Sequence, residues 1–176
     1  MSKLHLGCGD IYLEGWINVD LDNKKADLNC DLREPLPFES SSVDYIYSEH
    51  FIEHLSFKDG VKFFKECFRI LRPGGVIRVA TPDLDYVVFR HFFFWKKQPW
   101  IEQYGYGHVK TKAELLNICF REWGHQHLYN REELERGLEE AGFSKISKSG
   151  FCKSKHPELR GLETRKESRL ILEATK

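Results

Sequence analysis

The residues able to do chemistry gather at a few points along the chain. Gly7-Cys8-Gly9 follows the short apolar run Lys3 to Leu6, and glycines there let the backbone approach a ligand with no side chain between. Asp20, with Leu21 beside it, closes the next alternating run, thirteen residues beyond Gly7. A carboxylate in that place can accept two hydrogen bonds from a ribose diol. Asp31-Leu32 and Ser48-Glu49-His50 end two further runs. His50 is the candidate general base, because an unperturbed imidazole titrates near pH ~6.5; Glu49, Glu53 and His54 stand next. His50 and His54, four apart, share a face if their segment is helical, although His54 also suits a packing or capping role. His125-x-His127-x-Tyr129 adds two imidazoles able to orient an acceptor. These four histidines lack intervening cysteines and the HExxH spacing, so no metal is expected. Asp83 and Asp85 either touch an acceptor or cap a helix beginning near Leu84.

The elements that must hold these residues are legible in outline. Lys3 to Leu6, Trp16 to Leu21, Asp27 to Cys30 and Val43 to Tyr47 read as short strands. Phe57, Val61, Phe64, Phe68 and Leu71 recur at helical spacing. Pro73-Gly74-Gly75 should stop that helix, and Val76 to Ala80 reads as the next strand. Arg131 to Ala141 is amphipathic and closed by Gly142; Ile146 to Phe151 and Leu170 to Ala174 supply the last strands. The alternation predicts an α/β domain with a mostly parallel sheet, whose ligands sit outside the carboxyl ends of the strands. The links between the first four strands are too short for full crossover helices, so at least one is reduced to a turn. From about 86 to 128 runs an aromatic-rich interval with one clear helix, Lys112 to Trp123, which reads as an inserted lid or wall. Its Phe89, Phe92 and Phe93 suit a helix packed on the sheet. Trp95, Trp100, Tyr104 and Tyr106 suit the wall of a pocket for a sugar-containing or aromatic small molecule, or equally the interface of a homodimer.

Composition bounds the rest. At 176 residues, 41% hydrophobic and 31% charged, the chain reads as a single globular domain, 1–176. No run approaches the ~20 apolar residues of a membrane span, and the opening residues lack the apolar core of a signal peptide. Five cysteines without a CxxC pair suit the reduced thiols of a cytoplasmic protein. Charge is unevenly laid out: residues 1–88 hold 10 basic and 15 acidic side chains, residues 89–176 hold 17 and 12. Residues 145–169 carry 8 basic and 3 acidic ones, which is either a solvated face or a surface for an acidic substrate, a phosphate or an anionic surface. No nucleic-acid-binding module accompanies it, so a nucleic-acid partner is not expected.

Taken together, Leu4 to Asp10, Asp20, Asp31-Leu32 with Pro35-Leu36-Pro37-Phe38, Ser48-Glu49-His50 with Glu53-His54-Leu55, and Leu71-Arg72-Pro73-Gly74-Gly75 resemble the class I S-adenosylmethionine-dependent methyltransferases, and most closely their small type 11 members. The resemblance covers residues 3 to 84 well and Tyr129 to Lys176 more loosely. It implies a three-layer Rossmann-like sandwich with a seven-stranded, mostly parallel sheet whose last strand is antiparallel; the short early links reduce its crossover helices, and the expected lack of an N-terminal cap is a departure from the family. It implies S-adenosylmethionine as cofactor, with Gly7, Cys8 and Gly9 at its methionine end and Asp20 at the ribose. Leu21, Asp31 and Leu32 would lie toward the adenine, and Ser48 and Glu49 beside the sulfonium. It departs from the family at His5, where an acidic residue is usual, and at Ile11, where a third glycine is usual. The function this implies is methyl transfer to the oxygen or nitrogen of a small or glycan-like acceptor. The alternatives are a non-catalytic cofactor-binding or assembly module on a degenerate methyltransferase fold, and an NAD-dependent oxidoreductase. The latter is disfavoured because the loop reads GCGD rather than GxGxxG.

Overall fold

The computed structural model describes residues 1–176, apart from the side chain of Pro99. Seven strands form one sheet: β1 (Lys3–Leu6), β2 (Ile17–Asp20), β3 (Leu28–Asn29), β4 (Val43–Glu49), β5 (Leu71–Thr81), β6 (Lys145–Lys148) and β7 (Leu170–Thr175), in the order β3-β2-β1-β4-β5-β7-β6. The first five run parallel, and β7 is antiparallel to both β5 and β6. Strand order reverses between β1 and β4, which opens a crevice at their carboxyl ends where ligands of such sheets bind. The strands fall where expected, with one difference. β5 starts at Leu71, directly after the helix, and passes through Pro73-Gly74-Gly75 before its register shifts against β4.

One face of the sheet carries α1 (Phe57–Ile70) and α5 (Arg131–Glu140). Ser56 caps α1 by accepting from the Asp59 amide, a bond whose loss costs helices about 1 kcal/mol. The helix buries Val61, Phe63, Phe64, Cys67 and Ile70 on the sheet, and α5 lays Leu134 and Leu138 beside them. The opposite face has no long helix. A strap, residues 149–169, crosses it instead and seats Leu159 against Trp16, Tyr47, Val76 and Ile171. The reduction foreseen from the short early links is thus concentrated on this face.

A charge cluster fixes the strap. Arg78, in the middle of β5 and fully buried, pairs with Glu163 and Glu173 and donates to the carbonyls of Lys153 and Gly150. The guanidinium bridges two carboxylates and two carbonyls, so four of its five N–H donors are engaged, and a buried ion network is tolerated when it is paired and hydrogen-bonded in this way.

The interval 86–128 is more helical than its sequence suggests. It holds α2 (Leu84–Phe93), α3 (Pro99–Gln103) and α4 (Lys112–Arg121), then a tight turn at Glu122–Gly124. The clear helix expected there is α4; α2 begins at Leu84, where a capped helix was expected, with Asp83 accepting from the Asp85 amide, but none of its residues is buried, so its phenylalanines do not pack on the sheet as expected. No helix among the described residues is long and apolar enough to cross a membrane.

Candidate active site

A cavity of about 760 Å³ opens at the carboxyl ends of β1, β4 and β5, roofed by the insertion and edged by the strap. Its volume lies in the range of small-molecule sites. At its floor Gly7 adopts φ +70°, and a Cβ there would sit 2.6 Å from the Phe51 ring. Glycine at this position is therefore required by both the backbone and its neighbour. The Gly9 amide donates to Asp20 Oδ2 at 2.8 Å, and the amides of Asp22 and Asn23 reach Oδ1 at 3.2 and 3.3 Å. Asp20 organises the glycine loop and keeps acceptor capacity on Oδ2 toward the cavity, since a carboxylate offers about four lone-pair directions. Burial and the nearby Asp20 charge raise the Cys8 thiol above its usual range.

His50 follows β4 in a left-handed conformation, φ 51°, a backbone state that costs a non-glycine residue of order 1–3 kcal/mol and is often found at functional sites. Its amide donates to Ala80 O at 2.9 Å. Its Nδ1 stands at ion-pair distance, 3.2 Å, from Glu53 Oε1, and its Nε2 has no protein partner. Glu53 is fully buried; its Oε2 accepts from the Thr81 hydroxyl at 2.9 Å. Burial drives the Glu53 carboxyl upward, but the contact with His50 and the histidine charge outweigh it, and the carboxyl ends below its ordinary value. His54 and His125 meet edge to face at 5.1 Å on the cavity wall. Burial lowers the His54 imidazole below its usual range, against the pull of Glu53. His125 Nδ1 lies 2.8 Å from the Cys119 carbonyl, and burial pushes the Cys119 thiol up to about 11. Glu53, His54 and His125 offer ligand atoms within 4.8 Å of one another, the one cluster of metal-ligating type among the described residues.

Of the residues singled out from sequence, Gly7, Cys8, Gly9, Asp20, Glu49, His50, His54 and His125 border the cavity. Five others need correction. His127 turns away: its Nε2 lies 3.1 Å from Glu133 and its ring packs on Phe57 and Tyr129. Asp31 is held by the guanidinium and amide of Arg33, outside the cavity. Leu32 is buried in the main core, Leu21 is exposed, and Ser48 is buried under the strand end with its hydroxyl unpartnered. Glu49 is corrected in role rather than place. Its two oxygens accept from the amides of Thr164 and Arg165 and from the hydroxyls of Thr164 and Ser168. Burial raises its carboxyl, yet these bonds bring it below the ordinary value. An anion so fully bonded is a poor base; it is the clasp of the strap.

That clasp brings in residues that sequence reasoning missed. Arg165, Lys166, Glu167 and Arg169 border the cavity mouth, with the Arg169 guanidinium 5.0 Å from the centre of the Tyr86 ring. The basic run in 145–169 was visible; its place over the site depends on bonds to Glu49, 115 residues earlier. His5 was noted only as a departure. It is buried and lines the cavity, stacked on Tyr47 and 3.2 Å from Asn18.

Comparison with known proteins finds similarity to methyltransferases. Residues 10–79 match the family described as a methyltransferase domain. A probable S-adenosylmethionine-dependent methyltransferase of Mycolicibacterium smegmatis is 50% identical over 48 residues, 27% of this chain and 18% of that protein. Demethylmenaquinone methyltransferase of Staphylococcus aureus is 31% identical over 120 residues, 66% of this chain and 46% of that protein. The chain thus spans less than half the length of these curated relatives. Among solved structures, a SAM-dependent methyltransferase from Archaeoglobus fulgidus superposes with a TM-score of 0.61 at 16% identity, covering 99% of this chain and 86% of the other. One from Mesorhizobium loti gives 0.59 at 18%, covering 99% and 90%.

Proposed function

We propose that the chain is a class I S-adenosylmethionine-dependent methyltransferase, a reading supported by its fold and by the methyltransferase-domain match over residues 10–79, and that it transfers a methyl group to an oxygen or nitrogen of a small ring-bearing, glycan-like acceptor. The observation that carries this reading is His50. Its Nε2 is unpartnered beside the cavity, and a buried glutamate stands behind its Nδ1.

The residues on the cavity floor fit the cofactor. Gly7 to Gly9 present backbone without side chains, and Asp20 Oδ2 faces the same space. When bound, S-adenosylmethionine supplies an activated methyl on a neutral leaving group, so the protein's task is alignment. Glu53 stands 3.2 Å behind the Nδ1 edge of the His50 ring, which leaves Nε2, without a protein partner, as the atom to take the proton of an acceptor hydroxyl or ammonium. Trp100, Tyr104 and Trp123 give apolar faces on which a ring can lie. His54, kept neutral by burial, and His125 can hydrogen-bond its substituents.

The Staphylococcus aureus relative, named for a demethylmenaquinone, supports a ring-bearing acceptor and makes a carbon acceptor the reading to test against oxygen or nitrogen. Titration calorimetry with S-adenosylmethionine and with NAD, followed by an acceptor screen with labelled methyl donor over sugars, phenols, amines and quinols, decides the matter. Cofactor binding with methylation of a sugar, phenol or amine supports the proposal. Methylation of ring carbon alone replaces it. Cofactor binding with no methylation of any class favours the non-catalytic module.

A further inference from the structure

The insertion begins with a helix whose phenylalanines the cavity does not use. None of the ten residues of α2 is buried, and Phe89, Phe92, Phe93 and Phe94 are 51%, 61%, 67% and 43% exposed. The rings of Phe89, Phe93 and Phe94 cluster, with centroids 5.0 to 6.5 Å apart. A contiguous aromatic surface of this kind on a soluble domain marks an interaction site. Cations accompany it. From Leu84, where α2 begins, to Glu114 the chain holds five lysines and arginines against three acids, Asp85, Glu102 and Glu114. The Lys96 ammonium lies 5.1 Å from the Trp95 ring, Lys97 follows it, and Lys112 reaches the Phe92 carbonyl at 3.4 Å.

We propose that this tip, centred on Phe92, Phe93, Lys96 and Lys97, docks on an anionic lipid surface. Phenylalanines with neighbouring tryptophan and lysine are the composition of a segment that lies in a membrane interface, rings in the acyl boundary and ammonium groups among the headgroups. The same charges argue against a second copy as the occupant. A two-fold contact sets a patch against itself, and here it would press like charges together. The patch is continuous with the cavity, because Val87, Gln98 and Trp100 of the same interval line it. Docking would therefore place the mouth beside the lipid. The inference does not depend on the methyl-transfer reading.

The test uses the full chain in flotation with vesicles of phosphatidylcholine alone or with 30 mol% phosphatidylglycerol, chosen as about a third anionic, at low and high salt. Binding to the anionic vesicles, at least tenfold weaker in Phe92→Glu/Phe93→Glu and in Lys96→Glu/Lys97→Glu, with unchanged circular dichroism and cofactor affinity, is the expected result. No binding by the wild type overturns the proposal. So does undiminished binding by both variants, which would move the contact to the basic strap. Loss in the lysine variant alone would mean an acidic partner held by charge without ring insertion. A wild-type dimer in light scattering that Phe92→Glu/Phe93→Glu makes monomeric would give the face to a second copy.

Discussion

The two sides of the cavity are built differently. The glycine-loop side is made of short links leaving the sheet, each tied back within about a dozen residues: Gly9 to Asp20, and Gly7 to the Val19 carbonyl. The acceptor side is made of two long stretches that come from far along the chain. One of them, the strap, is clasped by buried charge at Glu49 and Arg78. The other, the insertion, meets the sheet only at its ends, and its first helix buries nothing. Local bonding suits an invariant ligand, whereas remotely anchored walls can change without disturbing the floor. The difference implies that the two sides can be perturbed separately.

His50 stands at their boundary, and its variant should give the largest effect. His50→Ala is expected to lower turnover about 10²- to 10⁴-fold, the usual range for a general base, with cofactor affinity nearly unchanged. A large fall in affinity with turnover intact would put His50 on the cofactor side. Asp20→Ala should weaken cofactor binding by about 1.5–3 kcal/mol, the scale of bonds to a charged group. Equal dissociation constants in calorimetry would remove Asp20 from the site.

Glu49→Ala should act on the other side alone. It leaves the Thr164 and Arg165 amides without their acceptor, costing about 1–3 kcal/mol of stability and raising the acceptor KM while cofactor affinity holds. If cofactor affinity falls instead, the strap belongs to both sides and the comparison fails. The smallest effect is on pH. Burial lowers the imidazoles of both His5 and His54 below 6.5, so the unfolded chain binds more protons than the folded one as pH falls past that value. Their stabilisation is present above pH 6.5 and is lost progressively below it. Thermal melts from pH 8 to 5 should decline on the acid side, less steeply in His5→Gln; a flat profile would contradict the burial of these rings.

How much of this was legible depended on the range of the interaction. α1 was readable because its apolar face repeats every turn, and Asp20 because it ends a strand opposite a glycine loop. Asp31 misled, although Arg33 two residues on was the available warning that its carboxylate had a partner. His127 misled because the bend at Asn130 returns Glu133 to it, a matter of three-dimensional turn geometry. Glu49 could not be read: its partners Thr164 and Ser168 are ordinary polar residues over a hundred positions away. The Phe89 to Phe94 run read as core, since composition alone does not distinguish an apolar face that packs inward from one left uncovered.

The thiols of the cavity carry one more consequence. A pocket that holds an electrophilic methyl group must not offer a competing nucleophile, and Cys8 lies at the loop where that group would be carried. The thiolate is the reactive form of cysteine. Burial with the Asp20 charge holds Cys8 protonated, and burial alone does the same for Cys119. On the proposed function, the same desolvation that shapes the cavity would guard the protein against alkylating itself.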